Sequence, residues 1–81
     1  MNRKFNVGDK VKFNKSAVAE VTRKTGIINK FLGVERISLA KLEQGKSVNL
    51  GRYKDVNMWE VRLDNSNELY SCPEDWLEKI A

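Results

Sequence analysis

The chain has no histidine, one cysteine and one proline among its 81 residues. Without histidine it lacks the side chain that most often acts as general base or metal ligand near neutral pH. The lone cysteine, Cys72, cannot close an internal disulfide, which sets the domain apart from disulfide-stapled extracellular modules. One thiol does not make a structural zinc site either. Cys72 reads as a small strand residue rather than a nucleophile, since no imidazole stands ready to activate it. No apolar run reaches the length of a bilayer span. The basic start Met1-Asn2-Arg3-Lys4 is not followed by the apolar stretch of a secretory signal. Neither a phosphate-binding glycine fingerprint nor a nucleophile elbow occurs. The best carboxylate cluster is Glu74, Asp75 and Glu78. It falls in what reads as an exposed turn, where acids suit a helix start better than acid–base chemistry. These absences point away from an enzyme, a metal, a cofactor, a small-molecule substrate and a membrane. The expectation is a cytoplasmic protein that works by binding.

Hydrophobic residues make up 41% of the chain and charged residues 32%, a mixture typical of one small folded domain, here 1–81. Its core must be thin. The net charge of +4 is unevenly spread. Residues 1–54 carry 13 Lys/Arg against 4 Asp/Glu, whereas residues 55–81 carry 2 against 7, so the two parts hold +9 and −5. Such asymmetry implies either a basic binding face or two halves that attract each other across the fold.

Residues 1–6 are polar and basic and are expected to fray. Val7-Gly8-Asp9 reads as a turn. Lys10-Val11-Lys12-Phe13 alternates, which predicts a half-buried strand with Val11 and Phe13 inward. Ser16 suits the N-cap of a helix over Ala17–Lys24, although Val18, Val21 and Thr22 argue against one. Thr25-Gly26 opens a second strand, Ile27–Phe31, with Gly26 allowing a bulge or a close backbone crossing. Residues 32–57 form an insertion with two readings. One is a short helix from Ser38 to Gln44, stopped by Gly45. The other, slightly preferred, is a hairpin pairing Val34–Leu39 with Val48–Tyr53. Trp59, Val61 and Leu63 alternate with Met58, Glu60 and Arg62. The turn formers Asp64-Asn65-Ser66-Asn67 then lead into a return strand, Glu68–Cys72. Pro73-Glu74-Asp75-Trp76 reads as a single helical turn before a short closing strand, Leu77–Ile80. The sum is a mainly β domain: a small barrel of about five strands with one or two helical turns.

Several of these segments resemble SH3-like barrels of the KOW and Tudor type: Val7 to Phe13, Thr25-Gly26-Ile27-Ile28, Trp59 to Asp64, and Cys72 to Ile80. The resemblance covers about half of the chain, as an ordered series of short motifs. It implies an SH3-like barrel, and relatives of that type bind nucleic acid or other proteins. Fold alone does not choose between these. Residues 14–24 and 32–57 are longer than the usual connections, and no aromatic cage is evident.

Two basic groups are candidates for phosphate contact. The first is Lys10, Lys12, Lys15, Arg23, Lys24 and Lys30, on and around two strands expected to be neighbours. The second is Lys46, Arg52, Tyr53 and Lys54, in which the tyrosine could stack on a base. Against both stands the reading of a solvated, lysine-protected strand face. Trp59 and Trp76 are expected in the core, and an outward aromatic would suit a protein partner. The leading expectation is therefore nucleic-acid (DNA or RNA) binding, with a protein partner as the alternative.

Overall fold

The computed structural model describes residues 2–16, 21–44 and 51–80. They form one five-stranded antiparallel sheet in the order β4-β3-β2-β1-β5. The strands are β1 (Lys10–Phe13), β2 (Thr25–Ser38), β3 (Tyr53–Leu63), β4 (Leu69–Pro73) and β5 (Leu77–Lys79). A six-residue helix, α1 (Leu39–Gln44), leaves the end of β2, and a 3₁₀ turn (Glu74–Trp76) joins β4 to β5. No helix among the described residues is long and apolar enough to cross a membrane.

Alternation puts Val11 and Phe13 of β1 and Trp59, Val61 and Leu63 of β3 into one core, as their spacing predicts. Trp59 is 1% exposed and Trp76 4%, so both indoles are interior. Each polar end has a partner. The Trp59 Nε1–H donates to Glu74 at 3.0 Å, and the Trp76 Nε1–H donates to the Leu42 carbonyl at 2.8 Å. Gly26, buried on β2, lies where a Cβ would stand 2.5 Å from the Arg62 carbonyl oxygen and 2.7 Å from Val61 Cγ1. The close backbone crossing expected at this glycine is present.

Both readings of the insertion are partly realised. β2 does not stop at Phe31; it runs on to Ser38 and pairs with β3, so that Val34 faces Asn57 and Ser38 faces Tyr53. The expected pairing of Val34–Leu39 with Val48–Tyr53 is thus displaced: the partner strand is 53–57, and Val48 lies outside the described residues. Leu39 ends the pairing and starts α1. Ser38 Oγ caps it by accepting from the Lys41 N–H at 3.2 Å. Register shifts at Ile28/Lys30 and Phe31/Gly33 interrupt the period of two, and Gly33 takes a φ of 99°.

Two further expectations are corrected. A helix cannot run through Lys24, because Arg23 sits at φ 75° and its N–H donates to the Phe13 carbonyl. Pairing with β1 wins over continuing a helix there, while residues 17–20 lie outside the described residues. Residues 2–5 pack rather than fray. Phe5 is 4% exposed, and its ring meets Trp59 edge-on at 6.0 Å. Burying one large aromatic is worth about 2–3 kcal/mol, enough to hold a short strap in place.

Candidate nucleic-acid interface

β1 and β2 are neighbours, as the first basic group requires, with Lys10 opposite Ile27 and Lys12 opposite Thr25. The group is not uniform, however. Lys10 pairs with Asp64 at 3.6 Å, and Asp64 also accepts from the Thr25 hydroxyl at 2.6 Å. Lys12 lies opposite Glu78 of β5, and Lys30 lies opposite Glu60 of β3. Each of these lysines therefore has an acid within its immediate field.

Lys15, Arg23 and Lys24 differ. All three are exposed, and none takes part in an ion pair among the described residues. The backbone brings Arg23 and Lys24 to the end of β1, two residues before Lys15. The Phe13 N–H donates to the Lys24 carbonyl at 3.0 Å and the Arg23 N–H donates to the Phe13 carbonyl at 2.8 Å, closing the base of the β1–β2 connection. The Asn14 N–H then donates to the Trp76 carbonyl at 2.7 Å.

Through the same residue the second basic group is drawn toward the first. The Trp76 indole reaches α1 at Leu42, next to Lys41, while Asp75 pairs with Lys54 at 3.2 Å. Residues 75 and 76 thus tie the end of β1, α1 and the start of β3 to one end of the domain. Arg52 is exposed there and Tyr53 is 47% exposed; the Arg52 carbonyl accepts from the Leu39 N–H at 2.9 Å. Lys46 lies outside the described residues. Lys41 was not singled out from sequence; its place beside Ser38 in a possible helix was the signal available.

All four ion pairs among the described residues join the basic first part of the chain to the later part: Lys10–Asp64, Arg36–Asp55, Lys54–Asp75 and Lys79–Asp9. At Lys10 and Lys54 the charge asymmetry serves internal attraction. At Lys15, Arg23 and Lys24 it leaves cationic groups facing solvent.

Among the described residues no group of three or more acidic, cysteine or histidine side chains is placed to hold a metal ion. Cys72 is buried, and desolvation pushes its thiol up from 9.0 to about 12. Its folded value exceeds the unfolded one, so the stability it contributes is intact below pH 9 and is lost as pH rises toward 12. Between those limits the stability of the wild type should fall more steeply than that of Cys72→Ala, by up to about 1.4 kcal/mol per pH unit. Urea melts at a series of alkaline pH values read this directly, and equal slopes would refute it.

Glu74 is the residue the sequence placed wrongly. Instead of an exposed helix-end acid it is 6% exposed, and its Oε2 accepts from the Trp59 indole at 3.0 Å, the Asn57 amide at 3.2 Å and the Lys4 backbone N–H at 3.1 Å. Nothing local to Pro73-Glu74-Asp75 announces donors from positions 4, 57 and 59. Comparisons with protein-family models, with curated proteins and with solved structures gave no match.

Proposed function

We propose that the chain is a non-catalytic binding module of the SH3-like type that holds nucleic acid by its phosphates, using the basic end of the domain around Lys15, Arg23 and Lys24. The strand order β4-β3-β2-β1-β5, with a 3₁₀ turn before the last strand, supports the SH3-like part. The binding reading rests chiefly on one observation. Among the described residues the aspartates at 9, 55, 64 and 75 are each paired with another cation, while the exposed Lys15, Arg23 and Lys24, all near the end of β1, take part in no ion pair. Lys41 and Arg52 extend the group past Trp76. Long flexible cations of this kind neutralise phosphates and release counterions, with little reading of base edges. A cytoplasmic setting, where a lone thiol stays reduced, suits the free Cys72.

The test is fluorescence anisotropy of labelled single- and double-stranded oligonucleotides at low and near-physiological salt. Wild type should bind with an affinity that falls steeply with salt. Lys15→Glu combined with Lys24→Glu should weaken binding about tenfold or more on every sequence and shallow the salt slope by about 2. Arg36→Gln, on the paired hairpin arm, should bind as wild type does. No binding by wild type even at low salt would sink the proposal. It would favour a protein-interaction module instead, for which exposed Leu32, Val34 and Tyr53 on the β2–β3 hairpin offer apolar contact.

A further inference from the structure

The outer strands of the sheet are β4 and β5, so each has one side without a neighbouring strand. Folded proteins commonly guard such edges with charged side chains. β5 carries Glu78 and Lys79, and β1, β2 and β3 also carry charges, but β4 reads Leu69-Tyr70-Ser71-Cys72-Pro73 and has none. Leu69 is 54% exposed, and Ser71 is exposed as well. The register shows which backbone groups meet the open side. The Leu63 N–H donates to the Glu68 carbonyl at 2.9 Å, which makes these two a hydrogen-bonded pair. In an antiparallel ladder such pairs alternate with non-bonded ones. Val61 with Tyr70 and Trp59 with Cys72 are then the bonded pairs, whereas Leu69 opposite Arg62 and Ser71 opposite Glu60 turn their N–H and C=O groups outward. No backbone partner meets these outward groups among the described residues. Pro73, next in the same phase, has no N–H and ends the open edge.

A second observation concerns what borders this edge. Arg62 is exposed and takes part in no ion pair among the described residues. It lies beside Leu69, while Glu60 lies beside Ser71 on the same outward face. The uncharged strand is thus bordered by one cation and one anion, two residues apart. A two-fold axis through Tyr70 reverses that order in a second copy and sets each cation in line with an anion.

We propose that two copies of this chain associate through the open edge of β4, strand against strand, antiparallel about Tyr70. In that register Leu69 of one copy faces Ser71 of the other. The two exchange N–H and C=O, so the outward groups of both strands are satisfied. A register shifted by two residues sets Leu69 opposite Pro73, which has no N–H to give. Each outward row of the joined sheet runs from Arg62 and Leu69 of one copy to Ser71 and Glu60 of the second copy. The two β3 strands stand about 14 Å apart, three strand spacings. The small Ser71 side chain leaves Arg62 and Glu60 room to lean toward each other. This self-complementary order of charge is what selects a second copy over an unrelated strand. The contact is small, so association is weak and depends on concentration. This inference is independent of the basic end.

The experiment follows the full chain by sedimentation and by NMR hydrogen exchange from about 0.05 to about 1 mM, the range of a weak complex. Wild type should move from monomer toward dimer across this range, and exchange at the Leu69 and Ser71 amides should slow as it does. Leu69→Lys charges the edge and should weaken association about tenfold or more. Ser71→Pro removes an outward N–H that no internal pair uses and should do the same. Arg62→Glu should weaken association about threefold, and Arg62→Glu combined with Glu60→Arg should restore it, because the rows are again complementary. If Ser71→Pro does not fold, Leu69→Lys decides on its own. A wild type that stays monomeric at about 1 mM overturns the proposal. So does association that survives Leu69→Lys, or that Val34→Lys on the β2–β3 hairpin abolishes instead.

Discussion

Glu74→Ala should lower stability by about 3–5 kcal/mol, because it strands buried donors at about 1–3 kcal/mol each. The Trp59 indole and Asn57 amide lie in the interior and cannot turn to water, while the Lys4 N–H is only partly buried. In a domain of this size each kcal/mol shifts the melting midpoint by roughly 4–8 °C, so the variant should melt some 15 °C or more below wild type. Glu74→Gln keeps an acceptor of nearly the same shape and should lose only about 1 kcal/mol. Urea melts followed by tryptophan fluorescence distinguish the two. If Glu74→Ala stayed within about 1 kcal/mol of wild type, Glu74 would not be the polar centre of the core described above.

Gly26→Ala should cost about 2–3 kcal/mol through overpacking. The obstacle is a backbone carbonyl, that of Arg62, at 2.5 Å from the new Cβ, and Val61 blocks at 2.7 Å. A carbonyl inside a paired strand cannot swing aside as a side chain can, so β2 and β3 must part where Gly26 faces Leu63. Gly33→Ala is the matched comparison. There a Cβ meets nothing within 4 Å, and the penalty comes from a φ of 99° alone. That conformational term is worth about 1–2 kcal/mol. Equal losses at the two sites would mean that the close crossing at Gly26 is not what selects glycine there.

Where a strand keeps strict alternation, its residues reveal it. Lys10 to Phe13 and Trp59 to Leu63 have the expected inward and outward sides, and the turn at 64–67 and the 3₁₀ turn after Pro73 fall where their turn formers stand. The length of β2 was hidden because its register shifts after Ile28 and again after Phe31, which scrambles the period on which strand reading depends. Glu74 and the 2–5 strap were hidden for another reason. The burial of Glu74 and the hydrogen bonds of the strap rest on distant partners, more than fifty residues away for Asn2 and Lys4, and no local pattern encodes such a match. The basic groups were legible as composition. Which members are spent on acids was not: Lys10 and Lys15 look alike in sequence, and only the fold sets Asp64 beside one of them.

The sheet order also fixes a sequence of events for a chain emerging from a ribosome. β1 to β4 follow one another as neighbours, so each can pair as soon as it is made. One edge of β1 waits for β5, and the Trp59 indole waits for Glu74. Trp76 bridges β1 to α1 at the same stage. Until residues 74–79 are released, the nascent domain carries an unpaired strand edge and an unsatisfied interior, the species on which chaperones act. Its completion is therefore a late step set by those six residues rather than by the long hairpin that dominates its shape.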